Sequence, residues 1–273
     1  MLRKKICSIL GWNKKNNFMK KNYKINMACY SHTGFIRAHN EDNFSFDGNF
    51  MNEEHQSMDE VMLVETASCD NPSAALFDGM GGESAGEKAS FAAARTFTKL
   101  SEGRIWDRDN MIFVMHEMNE AVCREKIAGR YGSIGCTAAV IAFSEGKLFC
   151  ANLGDSPIYQ YSKRKLSQLS VHHTNEALLR AQGITNRKPA LPQFLGIEDE
   201  EYNIEPHIIE LKLKSKDLYL LCSDGLTDMC SEEEITEILD KKDSLKIKTR
   251  QLAEAALNHG GRDNITIILC QIR

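Results

Sequence analysis

Apolar and polar positions along this chain fall into two alternating textures. From 86 to 100 the segment GEKASFAAARTFTKL is rich in alanine and repeats its apolar residues at helical spacing; 110–128 does the same at greater length, and both predict helices. The texture then shortens. GCTAAVIAF, KLFCANLG, SPIYQYS and KLSQLS are brief runs broken by Ser144-Glu145-Gly146, Gly154-Asp155 and Ser162-Lys163, which predicts a meander of antiparallel strands with tight turns. Residues 173–182 read as a short helix ended by Gly183, and 185–202 as an irregular loop with three of the five prolines in or near it.

The last third opens on two more strand-like runs, HIIELKLK and DLYLLCSDG. Ser231 with Glu234 three residues on is a capping-box pattern that starts a helix to about residue 240. A further helix over 244–259 is closed by Gly260, and NITIILCQI ends as a strand. Helices thus come in two pairs, each set between groups of strands. Hairpin-length connections make the strands mainly antiparallel, with helices covering the outer sheet faces. No internal repeat and no Pro- or Ser-rich linker divides the chain. One domain over 27–273, preceded by a basic, flexible arm over 1–26, is the expected organisation.

Composition alters this picture little. With 273 residues, 42% hydrophobic and 26% charged, the chain is no disordered tail, collagen-like repeat or small disulfide scaffold. It has no run of about 18 apolar residues, the length that spans bilayer hydrocarbon, so a multi-pass membrane protein is excluded. Charge alters it more. Residues 1–40 hold nine Lys or Arg and no acid, which leaves 25 basic against 38 acidic side chains beyond them. From Ala38 to Glu87 there are twelve acids and no Lys or Arg. Such a segment either stays well solvated or recruits cations.

The opening MLRKKICSILGW is basic like a secretory signal, but its apolar stretch is too short and too interrupted for export. The arm reads as solvated, with weak peripheral contact to an acidic lipid surface as the sharper alternative. The nine cysteines, at 7, 29, 69, 123, 136, 150, 222, 230 and 270, include no CxxC pair. Cys136, Cys150, Cys222 and Cys270 lie in strand-like runs as small buried hydrophobes. This is the cysteine usage of a reduced compartment, so a cytoplasmic protein is expected, and a monomer.

The chemistry lies in acids beside glycines at the ends of apolar runs. Asp78-Gly79 follows AALF, Gly154-Asp155 follows CANL, Asp224-Gly225 follows LYLLCS, and Asp263-Asn264 precedes ITI; Glu41-Asp42 follows Arg37 in RAHNED. Any one of these is most simply a turn, because Asp-Gly is a common turn dipeptide. Together they place several carboxylates where strand ends converge, and like charges that close cannot all stay ionised without cations. Hard divalent ions, Mg²⁺ or Mn²⁺, suit an all-oxygen set with no His or Cys cluster beside it. Two such ions can hold phosphate oxygens and activate water for in-line displacement.

In this order RAHNED, DGMGGESAGEKAS, GCTAAV, LGDS, CSDGLTD and GGRDNIT resemble the metal-dependent Ser/Thr protein phosphatases of type 2C, in their bacterial form. The resemblance covers about 28–272. It implies an α+β fold, a four-layer αββα sandwich with two central antiparallel β-sheets flanked by pairs of helices. It implies two Mn²⁺ or Mg²⁺ ions, bridged by Asp78, with the Gly79 carbonyl on one and Asp224 and Asp263 on the other. Glu41 would act mostly through water, Arg37 would grip the substrate phosphate, and Asp155 and Asp228, with Asp224, would hold a third, weaker ion. Asp42, Thr137 and Asn264 would orient these groups without touching the ions. The implied reaction is attack of a metal-bridged hydroxide on phosphoserine or phosphothreonine in proteins, opposing a Ser/Thr kinase, with no covalent phosphoenzyme.

Three departures from the family pattern stand out. Met80 occupies the place of a His that animal members carry after Asp-Gly, so the leaving-group acid is unassigned. VHHT at 171–174 stands where relatives open a mobile flap with an Asp-His pair; the flap-like segment spans about 171–205. The link over 43–75 is long and includes DGNFMNEEHQSMDE, which reads as a solvated loop on a hairpin or as an element that favours basic substrates. His39 and His173 read as structural or solvated. The rival to an enzyme is a non-catalytic relative that binds phosphoprotein, which loss of metal ligands would mark; every matched position keeps its acid. Nucleic-acid binding is not expected, because the body is acidic.

Overall fold

The computed structural model describes residues 22–81, 85–184, 189–198 and 203–273, so the expected arm up to residue 21 and parts of the flap-like segment lie outside the described residues. In chain order the elements are β1 (Lys24–His32), β2 (Asp42–Phe46), β3 (Met62–Ala67), β4 (Ser73–Gly81), α1 (Gly86–Ser101) and α2 (Arg108–Gly129). Then follow β5 (Ile134–Cys136), β6 (Ala138–Ser144), β7 (Lys147–Leu153), β8 (Ile158–Ser162), β9 (Lys165–Gln168), α3 (Glu176–Ala181) and β10 (His207–Lys212). The chain closes with β11 (Leu218–Cys222), α4 (Asp224–Thr227), α5 (Glu232–Asp240), α6 (Leu245–Asn258) and β12 (Ile265–Ile272). One sheet has the order β3-β1-β12-β11-β8-β9; the other has β10-β7-β6-β4-β2, with β5 also paired to β4. All pairings between these strands are antiparallel.

Strand alternation explains the layers. Successive side chains of a strand point to opposite faces. In β4, Ala74 and Leu76 enter the core between the sheets, while Ala75 and Phe77 enter the core beneath α1 and α2. In β12, Ile268, Cys270 and Ile272 face the inter-sheet core, and Ile265, Ile267 and Leu269 the core beneath α5 and α6. Both faces of each sheet are therefore covered, which is why these strands read as unbroken apolar runs. The result is the expected four-layer sandwich. Alanines 89, 92, 93 and 94 of α1 are all buried, small enough to let the helix lie close to the sheet. At α5 the capping box forms as read: Ser231 Oγ accepts from Glu234 N at 3.2 Å and Ser231 N donates to Glu234 Oε2 at 2.9 Å.

Some local expectations give way. The four short runs are not one meander: β6 and β7 pair in one sheet, β8 and β9 in the other, and the chain crosses between sheets at residues 154–157. The 47–61 link is not the loop of a hairpin, since β2 and β3 belong to different sheets. It carries the chain across the edge of the sandwich. β1 begins at Lys24, so residues 24–26 are part of the sheet.

Candidate active site

The two sheets present their strand ends to one cleft of about 370 Å³. It is lined by Arg37, Glu41, Asp78, Gly79, Met80, Thr137, Asp155, Pro189, Ala190, Leu191, Asp224 and Asp263. β4 delivers Asp78, the turn after β7 delivers Asp155, α4 starts at Asp224 directly after β11, and Asp263 lies just before β12. The Asp224 junction is thus the first residue of a helical turn, a feature invisible in an Asp-Gly dipeptide. Asp228 ends that turn, exposed and outside the cleft lining.

The backbone around Asp78 is held by its neighbour across the sheet. Thr137 interrupts the run that would join β5 to β6: its N–H donates to the Asp78 carbonyl at 2.9 Å, and its Oγ1 accepts from Asp78 N–H at 3.0 Å. Ser156 Oγ lies 2.6 Å from Thr137 Oγ1 and completes the chain. Gly79 must be glycine for a packing reason: a Cβ there would sit 2.4 Å from the carbonyl oxygens of both Glu41 and Gly86. At Gly225 the same atom would meet the Asn264 carbonyl oxygen at 2.0 Å, so the turn carrying Asp224 and the segment carrying Asp263 touch through backbone.

Arg37 and Glu41 lie on a loop with no ladder to hold it. Two backbone bonds reach it, from Gly79 N–H to the Glu41 carbonyl at 3.1 Å and from Phe35 N–H to the Gly261 carbonyl at 2.7 Å, and Asn264 adds three more. Its Oδ1 accepts from Glu41 N–H at 2.8 Å, and its Nδ2 donates to the carbonyls of Thr33 and His39 at 2.8 and 2.9 Å. Arg37 Nη2 donates to Asp263 Oδ2 at 2.6 Å. Asp42 sits behind the cleft, buried, with Oδ2 accepting from Ser223 Oγ at 2.8 Å; Ser223 Oγ in turn accepts from Thr266 N–H at 2.9 Å. Ser156, Ser223 and the flap residues 189–191 were not singled out from sequence. Both serines stand inside the motifs that carry the acids, at the end of apolar runs, and that placement was the available signal.

Electrostatics at the cleft is that of crowded anions. Burial, then the charges of Asp224, Asp42, Asp155 and Asp263, push the Asp78 carboxyl well above its ordinary range. Burial and Glu87 raise Glu41, against the pull of Arg37. Burial drives Asp42 up to about 7, against hydrogen bonds from Thr266 and Ser223 and with Asp224 and Asp263 adding to it. Among the described residues five carboxylates and one guanidinium line the space, with no His, Lys or Cys. This donor set fits hard divalent cations. Among the described residues no three cleft acids have one oxygen each within 4.8 Å of one another.

The departures also have a place. Met80 lines the cleft. The flap-like segment is stitched to the sheet at its start: Asn152 Nδ2 donates to the Val171 carbonyl at 2.7 Å and His173 N–H to the Gly154 carbonyl at 3.0 Å. Beside the active cleft a second hollow of about 510 Å³ is lined by His39, Asn40, Glu53, Glu54, His55, Gln56 and Glu87, so the acidic 47–61 link forms one wall of it. Lys88 pairs with Glu53 there.

Comparison with known proteins gives a consistent answer. The sequence model described as Protein phosphatase 2C matches residues 53–260, a span that leaves out Arg37, Glu41 and Asp263. The serine/threonine phosphatase stp of Listeria monocytogenes is 31% identical over 258 residues, covering 87% of this chain and 92% of its own. Protein phosphatase PhpP of Streptococcus pneumoniae is 36% identical over 214 residues, covering 71% and 83%. The crystal structure of the catalytic domain of the serine threonine protein phosphatase PstP in complex with two manganese ions superposes with a TM-score of 0.72 at 25% identity, over 92% of this chain and 99% of that one. The sandwich, the acids at its strand ends and these relatives together make the chain a member of the protein phosphatase 2C family.

Proposed function

We propose that this protein hydrolyses phosphoserine and phosphothreonine in other proteins, and so opposes a Ser/Thr kinase. The observation that carries the reading is the cleft itself, where five carboxylates and one guanidinium from both sheets meet. Asp78, the Gly79 carbonyl, Asp224, Asp263 and Glu41 would hold two Mn²⁺ or Mg²⁺ ions. Asp155 would reach a third, weaker one, with Asp228 contributing only from the exposed end of α4. Ions of this class, when bound, neutralise phosphate oxygens and acidify water.

The protein's own part is positioning. Thr137 fixes the direction of Asp78, and Asn264 fixes the loop that carries Arg37 and Glu41. Arg37 spends its contact on Asp263 in this state. Engaging a phosphate requires that fork to turn toward the oxygens, where bidentate geometry favours arginine over lysine. Exposed Phe35 and Ile36 flank Arg37 and offer an apolar lip to the peptide around the phosphorylated residue. Among the described residues the lining includes no His, Lys or Cys. None of the eight described cysteines is joined in a disulfide, which supports action in a reducing cytoplasm, and no helix among the described residues is long and apolar enough to cross a membrane.

The test is phosphate release from a phosphothreonine peptide with Mn²⁺, with chelator, and with Asp224→Asn. Activity is expected only for the wild type with metal. Turnover that survives chelation, or an Asn variant as fast as the wild type, overturns the mechanism; silence toward several phosphopeptides and metals favours a binding role instead.

A further inference from the structure

Away from the cleft lining, three side chains with different donor atoms converge. Cys230 comes six residues after Asp224, Glu234 lies in the first turn of α5, and His259 caps α6 four residues before Asp263. One donor atom from each lies within 4.8 Å of the other two. Cys230 Sγ is 3.9 Å from His259 Nδ1, and Glu234 Oε1 is 3.5 Å from His259 Nε2. We propose that Cys230, Glu234 and His259 form a binding site for a borderline-soft divalent ion of the Zn²⁺ class, separate from the hard-ion cleft.

The donor chemistry makes the distinction. Thiolate and imidazole suit zinc and its neighbours, whereas an all-carboxylate cleft suits magnesium and manganese. Donors about 2.0–2.3 Å from a tetrahedral ion stand roughly 3.3–3.6 Å from one another. The two short spacings here run to opposite ring nitrogens, Nε2 toward Glu234 and Nδ1 toward Cys230, so binding one ion requires the ring to bring a single nitrogen to both; one donor atom of each residue already lies within 4.8 Å of the other two. The ring of His259 is partly exposed and can turn to present one nitrogen to both partners.

The site is also prearranged. Glu234 uses Oε2 to accept from the Ser231 N–H of the capping box, which leaves Oε1 aimed at His259. An outer hydrogen bond of this kind is what commonly orients a metal-binding carboxylate. Cys230 is buried while the Glu234 and His259 side chains are partly open to solvent, so three protein ligands would leave the fourth position to water. Binding exchanges the thiol proton for the ion, with one proton released. Occupancy would tie the segment following Asp224 to the one preceding Asp263. Close by, the backbone just after Asp224 already touches the residue after Asp263, at Gly225 and Asn264.

Cobalt reports such a site directly, because a thiolate–Co²⁺ bond absorbs in the near ultraviolet and carboxylate ligands do not. The full chain, stripped of metal and kept reduced, is titrated with Co²⁺ in the presence of excess Mg²⁺, then with Zn²⁺. The charge-transfer band is expected in the wild type, in Cys69→Ser, in Cys7→Ser and in Asp224→Asn, and Zn²⁺ should bleach it. In Cys230→Ser and His259→Ala it should be lost, with Co²⁺ affinity falling by more than the roughly 10–100-fold typical of losing an outer partner. His259 is exposed enough that its variant keeps the fold, to be checked by circular dichroism if Cys230→Ser does not. A wild type without the band, a band that survives His259→Ala, or one that follows Cys7 or Cys69 overturns the proposal. The triad is then only a histidine hydrogen-bonded between a thiol and a carboxylate.

Discussion

The cleft has a strand-held half and a loop-borne half, and they are kept in place differently. Asp78 lies within β4, where the pairing passes from β2 to β5, and its backbone is tied by Thr137 across the sheet. Arg37 and Glu41 belong to a connection between β1 and β2 outside the sheet ladders; Asn264 makes three hydrogen bonds to it, beside the backbone bonds from Gly79 N–H to the Glu41 carbonyl and from Phe35 N–H to the Gly261 carbonyl. A ladder satisfies backbone groups as a by-product of the fold. A loop needs a dedicated polar residue, because its unpaired groups otherwise remain unsatisfied or wander. The strand-held half therefore sets where negative charge collects, and under the proposed function the loop-borne half would set how a substrate meets it.

Substitutions can break that division, and the largest effect should come from the strand-held acid. Asp78→Asn is expected to lower kcat/KM by at least about 10³-fold, as loss of a central electrostatic group does. The same change should raise the Tm of the metal-free protein, because the repulsion that pushes Asp78 upward is relieved. A metal-free Tm that drops on Asp78→Asn would argue that the acids are not crowded.

Next in size is Asn264→Ala. With net values of about 1 kcal/mol per hydrogen bond, losing three should cost the fold roughly 2–3 kcal/mol in denaturant titration. In kinetics it should raise KM more than it lowers kcat, since the loop presents Arg37. Thr137→Val should do the reverse, lowering kcat and Mn²⁺ affinity by about 10-fold with KM for peptide nearly unchanged. If both variants shift the same kinetic constant, the division of labour fails.

A pH dependence behind the cleft, read in stability alone, bears least on the division between the two halves. Burial holds the Asp42 carboxyl at about 7 in the folded state, well above its unfolded value. The unfolded chain therefore releases this proton first, and the metal-free protein should lose stability as pH rises from about 4 to 7. Below that window the term is absent. Tm measured against pH in chelator should fall across the window in the wild type and stay flatter in Asp42→Asn, and equal slopes would count against it.

The sequence showed some of this at once and hid the rest. The capping box at Ser231 and Glu234 and the alanine-rich face of α1 are local patterns, and local patterns survive in one dimension. The meander misled, because a run such as SPIYQYS looks the same whichever sheet it joins; pairing is a long-range choice made by packing. GCTAAVIAF looked like one strand, yet it breaks at Thr137, whose hydroxyl substitutes for a backbone acceptor opposite Asp78. Asp78, Asp155 and Asp224 stand out as acids beside glycines and Asp263 as an acid ahead of an apolar run, whereas Ser156 and Ser223 carry no such mark, because a serine's role depends on what folds against it.

By itself, then, the sequence determined the two textures of helix and strand, the acids at strand ends and the charge imbalance that calls for cations. These depend on residue type and spacing along the chain. Only the tertiary structure decided which sheet each strand joined, that Arg37 rests on Asp263, that Asn264 holds the loop, and that Cys230, Glu234 and His259 meet. Those contacts join residues far apart in sequence, and close approach across a folded core leaves no periodic trace in the order of amino acids.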